Sequence, residues 1–272
     1  MSTPWAVYEL LWDQVPPRAV AEAVQLGLIW TLCRGPDDGT GLAMTPPASP
    51  RTLSWAGTLS GRPLAELAGW LRRFDPHEAV IGLAAVNAAI NTSANRVLAG
   101  ATPVRGAAPG NLAVFDHFRP QLLGRRVVVI GRYPGLDALL EGLDVTVLER
   151  QPGPGDLPDP ACEFLLPEAD WVFLTASSLA NKTFPRLAEL SRQATTVLMG
   201  PGTPWLPAFA AFGIDYLAGV AIDDAAQLRR TLAEGGGTRL FDGPVAYRVA
   251  DLHRLRGVPA APQYHAPSLP SV

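Results

Sequence analysis

Thr175-Ala176-Ser177-Ser178-Leu179-Ala180-Asn181-Lys182-Thr183 concentrates hydroxyls, an amide and the only lysine among the 22 cationic side chains of the sequence. Hydroxyls and amides both donate and accept hydrogen bonds, which suits a polar or anionic small molecule better than proton transfer. Lys182 can reach an anion or point to water. Catalysis by its amine would need a depressed pKa, and nothing in the sequence demands one. Asn181 and Thr183 are also good helix caps, and capping and ligand contact can coexist. A second stretch, Gly200-Pro201-Gly202-Thr203-Pro204, is a stiff turn whose glycines let the backbone approach a ligand. A third, Gly131-Arg132-Tyr133-Pro134-Gly135, stands where a dinucleotide fold binds phosphate. Tyr133 replaces the glycine that admits the pyrophosphate, and Pro134 removes an N–H, so dinucleotide binding in the standard pose is disfavoured. Glu149 ends the next strand, where an acid can hold ribose hydroxyls; its alternative is a pair with Arg150 or another surface arginine. Asn87, Asn91 and Asn95 recur at i, i+4 and i+8, which lines three amides along one stripe of an otherwise apolar helix. Buried amides need partners. For Asn87 and Asn91 these are the other half of the chain, a ligand or neighbouring turns; Asn95 reads as a cap.

Other chemistry is thin. His77, His117, His253 and His265 are scattered, with no partner at i+3 or i+4, and neither C-x-x-C nor H-E-x-x-H occurs. A zinc site built from the protein alone is therefore not expected. Asp116-His117, an adjacent acid and imidazole, reads as a surface turn. G-x-S-x-G is absent, and Ser177-Ser178 has no sequence partner that makes a triad. No catalytic residue is assigned.

The elements that must position these groups fall into two grammars. Up to residue 110 the sequence reads as short strands followed by helices. AVAEAVQLGLIWTLCRG reads as a helix end or strand closing on the turn Gly35–Gly39, and GLAMTP as a second strand. PLAELAGWLRRF follows as a helix, and HEAVIGLAAVNAAINT as a helix apolar all round, hence buried. Residues 101–124 form a mixed junction. From Arg125 apolar runs alternate with helical stretches: RRVVVIG, VTVLER, DWVFLTAS, TTVLMG and IDYLAGVAI as strands; PGLDALLEGL, FPRLAELSRQ, PWLPAFAAFG and DDAAQLRRTLAEGGG as helices. That alternation specifies a doubly wound parallel sheet. The expected organisation is an α+β unit over 1–110, a Rossmann-like α/β domain over 111–256 and a Pro-rich tail over 257–272. Over 272 residues, 48% apolar and 17% charged content supports a buried core rather than disorder. A net charge of −3 offers no broad nucleic-acid footprint. The N-terminus lacks a signal-peptide pattern, no run is long and apolar enough for a membrane span, and Cys33 and Cys162 stand alone, so a cytoplasmic protein is expected.

GLAAVNAAIN (82–91), VVVIGRYP (127–134), VLER (147–150), LTASSLANKT (174–183) and LMGPGTP (198–204) resemble the signature segments of a bacterial and archaeal family of unknown function, labelled "putative heavy-metal chelation domain". The resemblance covers roughly 5–250. It implies an N-terminal domain like that of enolase, a Rossmann-like second domain and a site in the cleft between them. Ala176 and Ser178 depart mildly from the family's third-strand motif, and Gly202 replaces a serine, which puts a hydroxyl contact there in doubt. On this basis Asn87 and Asn91 form one wall of a ligand site. Gly131, Glu149, Thr175, Ser177, Asn181, Lys182, Thr183, Gly200, Pro201 and Thr203 form the other. The expected ligand is a small anionic or metal-chelating molecule, with any metal held through an organic chelator because soft protein ligands are scarce. The alternative is an enzyme using a nucleotide or S-adenosylmethionine; a scaffold with a vestigial second half is a third reading. No nucleic-acid or membrane partner is expected, and the apolar composition and the resemblance are compatible with a homodimer.

Overall fold

The computed structural model describes residues 3–47, 51–104, 106 and 108–255; the Pro-rich tail expected at 257–272 lies outside them. The first unit opens with helix α1 (Ala6–Trp12), then strands β1 (Ala23–Leu26), β2 (Trp30–Arg34) and β3 (Thr40–Met44). The three strands form one antiparallel sheet. Its β1–β2 hairpin corrects the expectation of a helix end within AVAEAVQLGLIWTLCRG: Gly27 N–H donates to Trp30 C=O and closes a turn inside the apolar run. Helices α2 (Leu64–Gly69), α3 (Pro76–Ile90) and α4 (Arg96–Gly100) follow. Asp75 caps α3 by accepting from the N–H groups of His77 and Glu78, and Pro76 occupies the first turn, where its missing N–H costs nothing. The helix is buried nearly all round because it is enclosed by β2 and β3 on one side, α2 and the Trp70–Arg72 turn on another, and the Ser177–Ala180 turn of the second unit. The contact with β3 requires glycine: a Cβ on Gly41 would sit 2.0 Å from the Ala84 carbonyl oxygen.

The second sheet has eight strands in the order β4-β11-β10-β9-β8-β5-β6-β7. These are β4 (Thr102–Pro103), β5 (Arg126–Ile130), β6 (Asp144–Glu149), β7 (Leu157–Pro158), β8 (Trp171–Thr175), β9 (Thr195–Met199), β10 (Tyr216–Ile222) and β11 (Val245–Asp251). Strands β7, β6, β5, β8, β9 and β10 run parallel. β11 returns antiparallel beside β10, and β4 pairs antiparallel with β11. The connecting helices are α5 (Ala113–Leu122), α6 (Leu136–Leu139), α7 (Cys162–Leu165), α8 (Ser177–Ala180), α9 (Phe184–Leu190) and α10 (Ala225–Ala233). The chain runs outward from β5 to β7, then crosses back to β8, so strand order reverses between β5 and β8. Residues 101–124, expected as a mixed junction, carry β4 and α5; Asp116-His117 sits in that helix rather than in the expected surface turn. PGLDALLEGL shrinks to the single turn α6, because Gly142 takes a φ of 81° soon after it. PWLPAFAAFG is a 3-10 helix ended by left-handed Gly213.

Both faces of the large sheet are covered, as its unbroken apolar strands require. Val127, Val129, Phe173, Val197 and Val220 pack under α5 and α10. On the other face Val128, Ile130, Val172, Leu174 and Leu198 share one continuous core with Leu64, Leu67, Ile81 and Leu83 of the first unit. No helix among the described residues is long and apolar enough to cross a membrane.

Candidate functional site

The asparagine stripe of α3 faces the second unit. Asn87 is fully buried, and its Nδ2 donates to the carbonyls of Leu42 (2.9 Å) and Gly202 (2.8 Å). Both neighbours are acceptors, so the amide must present its nitrogen to them; its Oδ1 has no partner among the described residues. Asn91 holds the next stretch from both ends. Its Oδ1 accepts from Trp205 N–H at 3.1 Å, and its Nδ2 donates to Thr203 C=O at 3.4 Å. Asn95 donates to Trp205 C=O at 2.9 Å and caps α4 by accepting from Val97 and Leu98 N–H. Three side chains at helical spacing thus bind the backbone of residues 202–205 to the first unit. Thr203 is fully buried and donates to Ala218 C=O. A side chain at Gly202 would press on the Leu42 carbonyl at 3.2 Å, so the glycine there lets the turn meet β3.

The Thr175–Thr183 turn also meets the first unit. Ser177 Oγ donates to Met44 Sδ on β3 at 3.8 Å, and Ser178 is fully buried with its Oγ unpartnered among the described residues. Asn181 Oδ1 accepts from the N–H and hydroxyl of Thr183, which braces the turn leading into α9, although neither Asn181 nor Thr183 caps that helix through its side chain. Lys182 takes the left-handed region at φ 70°. Its Nζ donates to Ala180 C=O at 2.7 Å and lies 5.5 Å from the ring centre of Tyr8 on α1. Burial lowers its pKa to about 8.

At the reversal between β5 and β8, Gly131 adopts φ 98° and lies against Thr175. Glu149 points into this loop: Oε2 accepts from Arg132 N–H at 2.9 Å and Oε1 from Arg150 N–H at 2.7 Å. Arg132 then spans to Asp137 and Asp156, and the Arg132 hydrogen bond is the main force holding the Asp156 carboxyl below the usual range. Asn111 fixes the loop's far side by donating to Pro134 C=O at 2.9 Å. Burial pushes the Tyr133 hydroxyl, beside Thr175, up to about 12. A carboxylate therefore occupies the N–H that a phosphate would meet in a dinucleotide fold.

A cavity of about 550 Å³ opens elsewhere, along the carboxyl ends of β9 and β10. Its first-unit wall comes from β2, the Asp38 turn, β3 and the end of α3; its second-unit wall comes from Pro201, the end of β10 and the first turns of α10. Of the residues expected from sequence, Asn91 and Pro201 line it. Asn87, Gly200 and Thr203 belong to the neighbouring seam, while Gly131 and Glu149 lie at the switch point. Thr175, Ser177, Asn181, Lys182 and Thr183 belong to the β8–α9 turn. Arg34, Asp38, Thr92, Ser93, Asp223 and Arg229 line the cavity without having been singled out. One signal was present for two of them: Asp223 precedes a helix at the end of a parallel strand, and Arg229 follows within that helix, which is where ligands collect in open α/β sheets. Asp38 gave none, because Gly-Pro-Asp-Asp-Gly reads as a plain turn.

Among the described residues no three His, Cys, Asp or Glu side chains lie close enough to hold a metal ion. Cys33 is buried in the core with its thiol pushed up to about 12 by burial, and it is not a cavity-lining residue.

Comparison with known proteins agrees with this architecture. Two family models described as "putative heavy-metal chelation" match, DUF4213 over residues 8–90 and DUF364 over 113–251. An uncharacterized protein of Methanocaldococcus jannaschii is 29% identical over 185 residues, spanning 66% of this chain and 68% of that one. The crystal structure of a DUF364-family protein of unknown function from Desulfitobacterium hafniense superposes with a TM-score of 0.79 at 31% identity, covering 91% of this chain and 98% of that one. A DUF364-family protein of unknown function from Pyrococcus horikoshii shares the fold, with a TM-score of 0.72 at 21% identity over 90% of this chain and 98% of that one. By the model match and the likeness to the Desulfitobacterium protein, the chain belongs to the DUF364 family.

Proposed function

We propose that the chain binds a small anionic or metal-chelating molecule in the cavity between its two units. The observation that carries this reading is the cavity itself. It measures about 550 Å³ at the carboxyl edge of a parallel sheet, and both signs of charge line it. Its volume falls in the range of small-molecule sites, roughly 300–1,000 Å³. The family description points to heavy metals, but the donor set does not fit a bare soft ion. The cavity offers Asp38 and Asp223 as its acids and neither thiol nor imidazole. Any metal would therefore arrive with its donors already supplied by an organic chelator, and the protein would grip the organic part. The nucleotide-dependent alternative loses support at the switch point, where Glu149 already accepts from the Arg132 N–H.

Native mass spectrometry of the purified protein tests the reading. Ala226 lines the cavity from the first turn of α10 and its side chain is exposed, so Ala226→Trp fills the space without disturbing the core. A small molecule carried by the wild type and lost from the Ala226→Trp variant is expected. A molecule retained equally by both proteins would place the site elsewhere.

A further inference from the structure

The charges around the cavity go further than its volume. Arg34, on β2, is already paired with Glu22 at 2.5 Å. Asp38, Asp223 and Arg229 are different: none makes an ion pair with another described residue, although Arg62, Arg126 and Arg186 elsewhere on the surface all do. Asp223 precedes α10 and Arg229 lies within it, about 9 Å along the helix axis and, at i, i+6, off the face that i, i+3 and i, i+4 pairs share. Arg229 shares a helix face with Ala225 and Ala226, which line the same wall. The cap of that helix is supplied by Asp224, which accepts from Gln227 N–H and leaves Asp223 free of that duty. Asp38 contributes a second acid from the opposite wall. One cationic corner and two carboxylates outside any described ion pair thus face a single space.

Resting on the cavity reading, we infer that the ligand is an aminocarboxylate: its carboxylate meets Arg229, and its amine meets Asp38 and Asp223. Thr92 and Ser93 add hydroxyls that serve either end. A plain dicarboxylate would leave two acids facing its own negative charge, and a plain amine would leave Arg229 without a partner. Aminocarboxylates are also multidentate chelators. With a metal bound to the nitrogen, positive charge stays at the position that the two acids address.

Iminodiacetate and glutarate separate the possibilities, because they have the same length and charge at the carboxylates and differ by an amine in place of a methylene. Calorimetric titration of the full chain at pH 7.5 should show iminodiacetate binding at least about tenfold tighter than glutarate, the size of one charge-assisted hydrogen bond. Asp38→Asn with Asp223→Asn should erase that preference, and Arg229→Gln should weaken both probes. All three side chains are exposed and make no ion pair with another described residue, so unchanged melting temperatures would show that the variants fold. Equal affinity for the two probes, a preference that survives the double Asn variant, or no binding of either probe would each overturn the aminocarboxylate assignment. The cavity reading itself is judged separately: it fails if Ala226→Trp retains the molecule that co-purifies with the wild type.

Discussion

Lys182 is solitary in sequence and unusual in place. Its backbone takes a left-handed conformation that L residues other than asparagine and aspartate mostly avoid, and its ammonium rests on one carbonyl and the face of Tyr8. Burial lowers its pKa to about 8, so the folded state holds this proton less tightly than the unfolded chain does. Stability contributed through this group therefore rises with pH between about 8 and the ordinary lysine value. Comparing the wild type with Lys182→Met by thermal melts, the wild type should gain on the variant as pH climbs from about 7 to about 10. A difference that stays flat across that range would show the amine to be well solvated. The solitary lysine was plain in the sequence, but its environment was not, because Tyr8 lies far away along the chain on α1. The asparagine stripe shows the same division. Its i, i+4, i+8 spacing announced buried amides needing partners, and the backbone of residues 202–205 that supplies them could come only from the fold.

Among elements, the switch-point loop is held by side chains rather than left open. Glu149 takes three backbone N–H groups, those of Arg132, Arg150 and Gln151, and Arg132 bridges to Asp137 and Asp156. Glu149→Ala should lower the stability measured by urea unfolding by about 1–3 kcal/mol, the cost of stranding hydrogen-bond donors that a carboxylate satisfied. Nucleotides should leave the melting temperature of the wild type unmoved; a nucleotide-induced rise that the substitution abolishes would restore Glu149 as a ribose ligand. The central strands were legible because runs such as Val127–Ile130 and Val172–Leu174 are buried on both faces and so are uniformly apolar. β11 escaped notice because it follows a glycine-rich helix end and carries exposed Ala246 and half-buried Arg248 between its buried residues. The β1–β2 hairpin was hidden because an apolar run broken by one glycine fits a helix or two strands equally well.

Across the whole molecule the two units share a core, and the asparagine stripe ties their backbones together, so the cavity wall is preformed. The sequence pointed to the carboxyl ends of β5, β6, β8 and β9, where hydroxyls and glycines cluster. The cavity lies beyond β9 and β10 and takes in Pro201 but none of the residues expected at β5, β6 and β8, since the β8 turn is covered by β3 and α1. Which stretch of a strand edge stays open depends on how the first unit docks, and periodicity carries no record of that. The most direct test of the cavity as a chelate site is calorimetric titration with Ni²⁺ alone and with the nickel–iminodiacetate complex, against the wild type and Ala226→Trp. Saturable binding of the complex by the wild type, lost in the variant, and no tight binding of the bare ion are expected. Tight binding of bare Ni²⁺ by both proteins would contradict it.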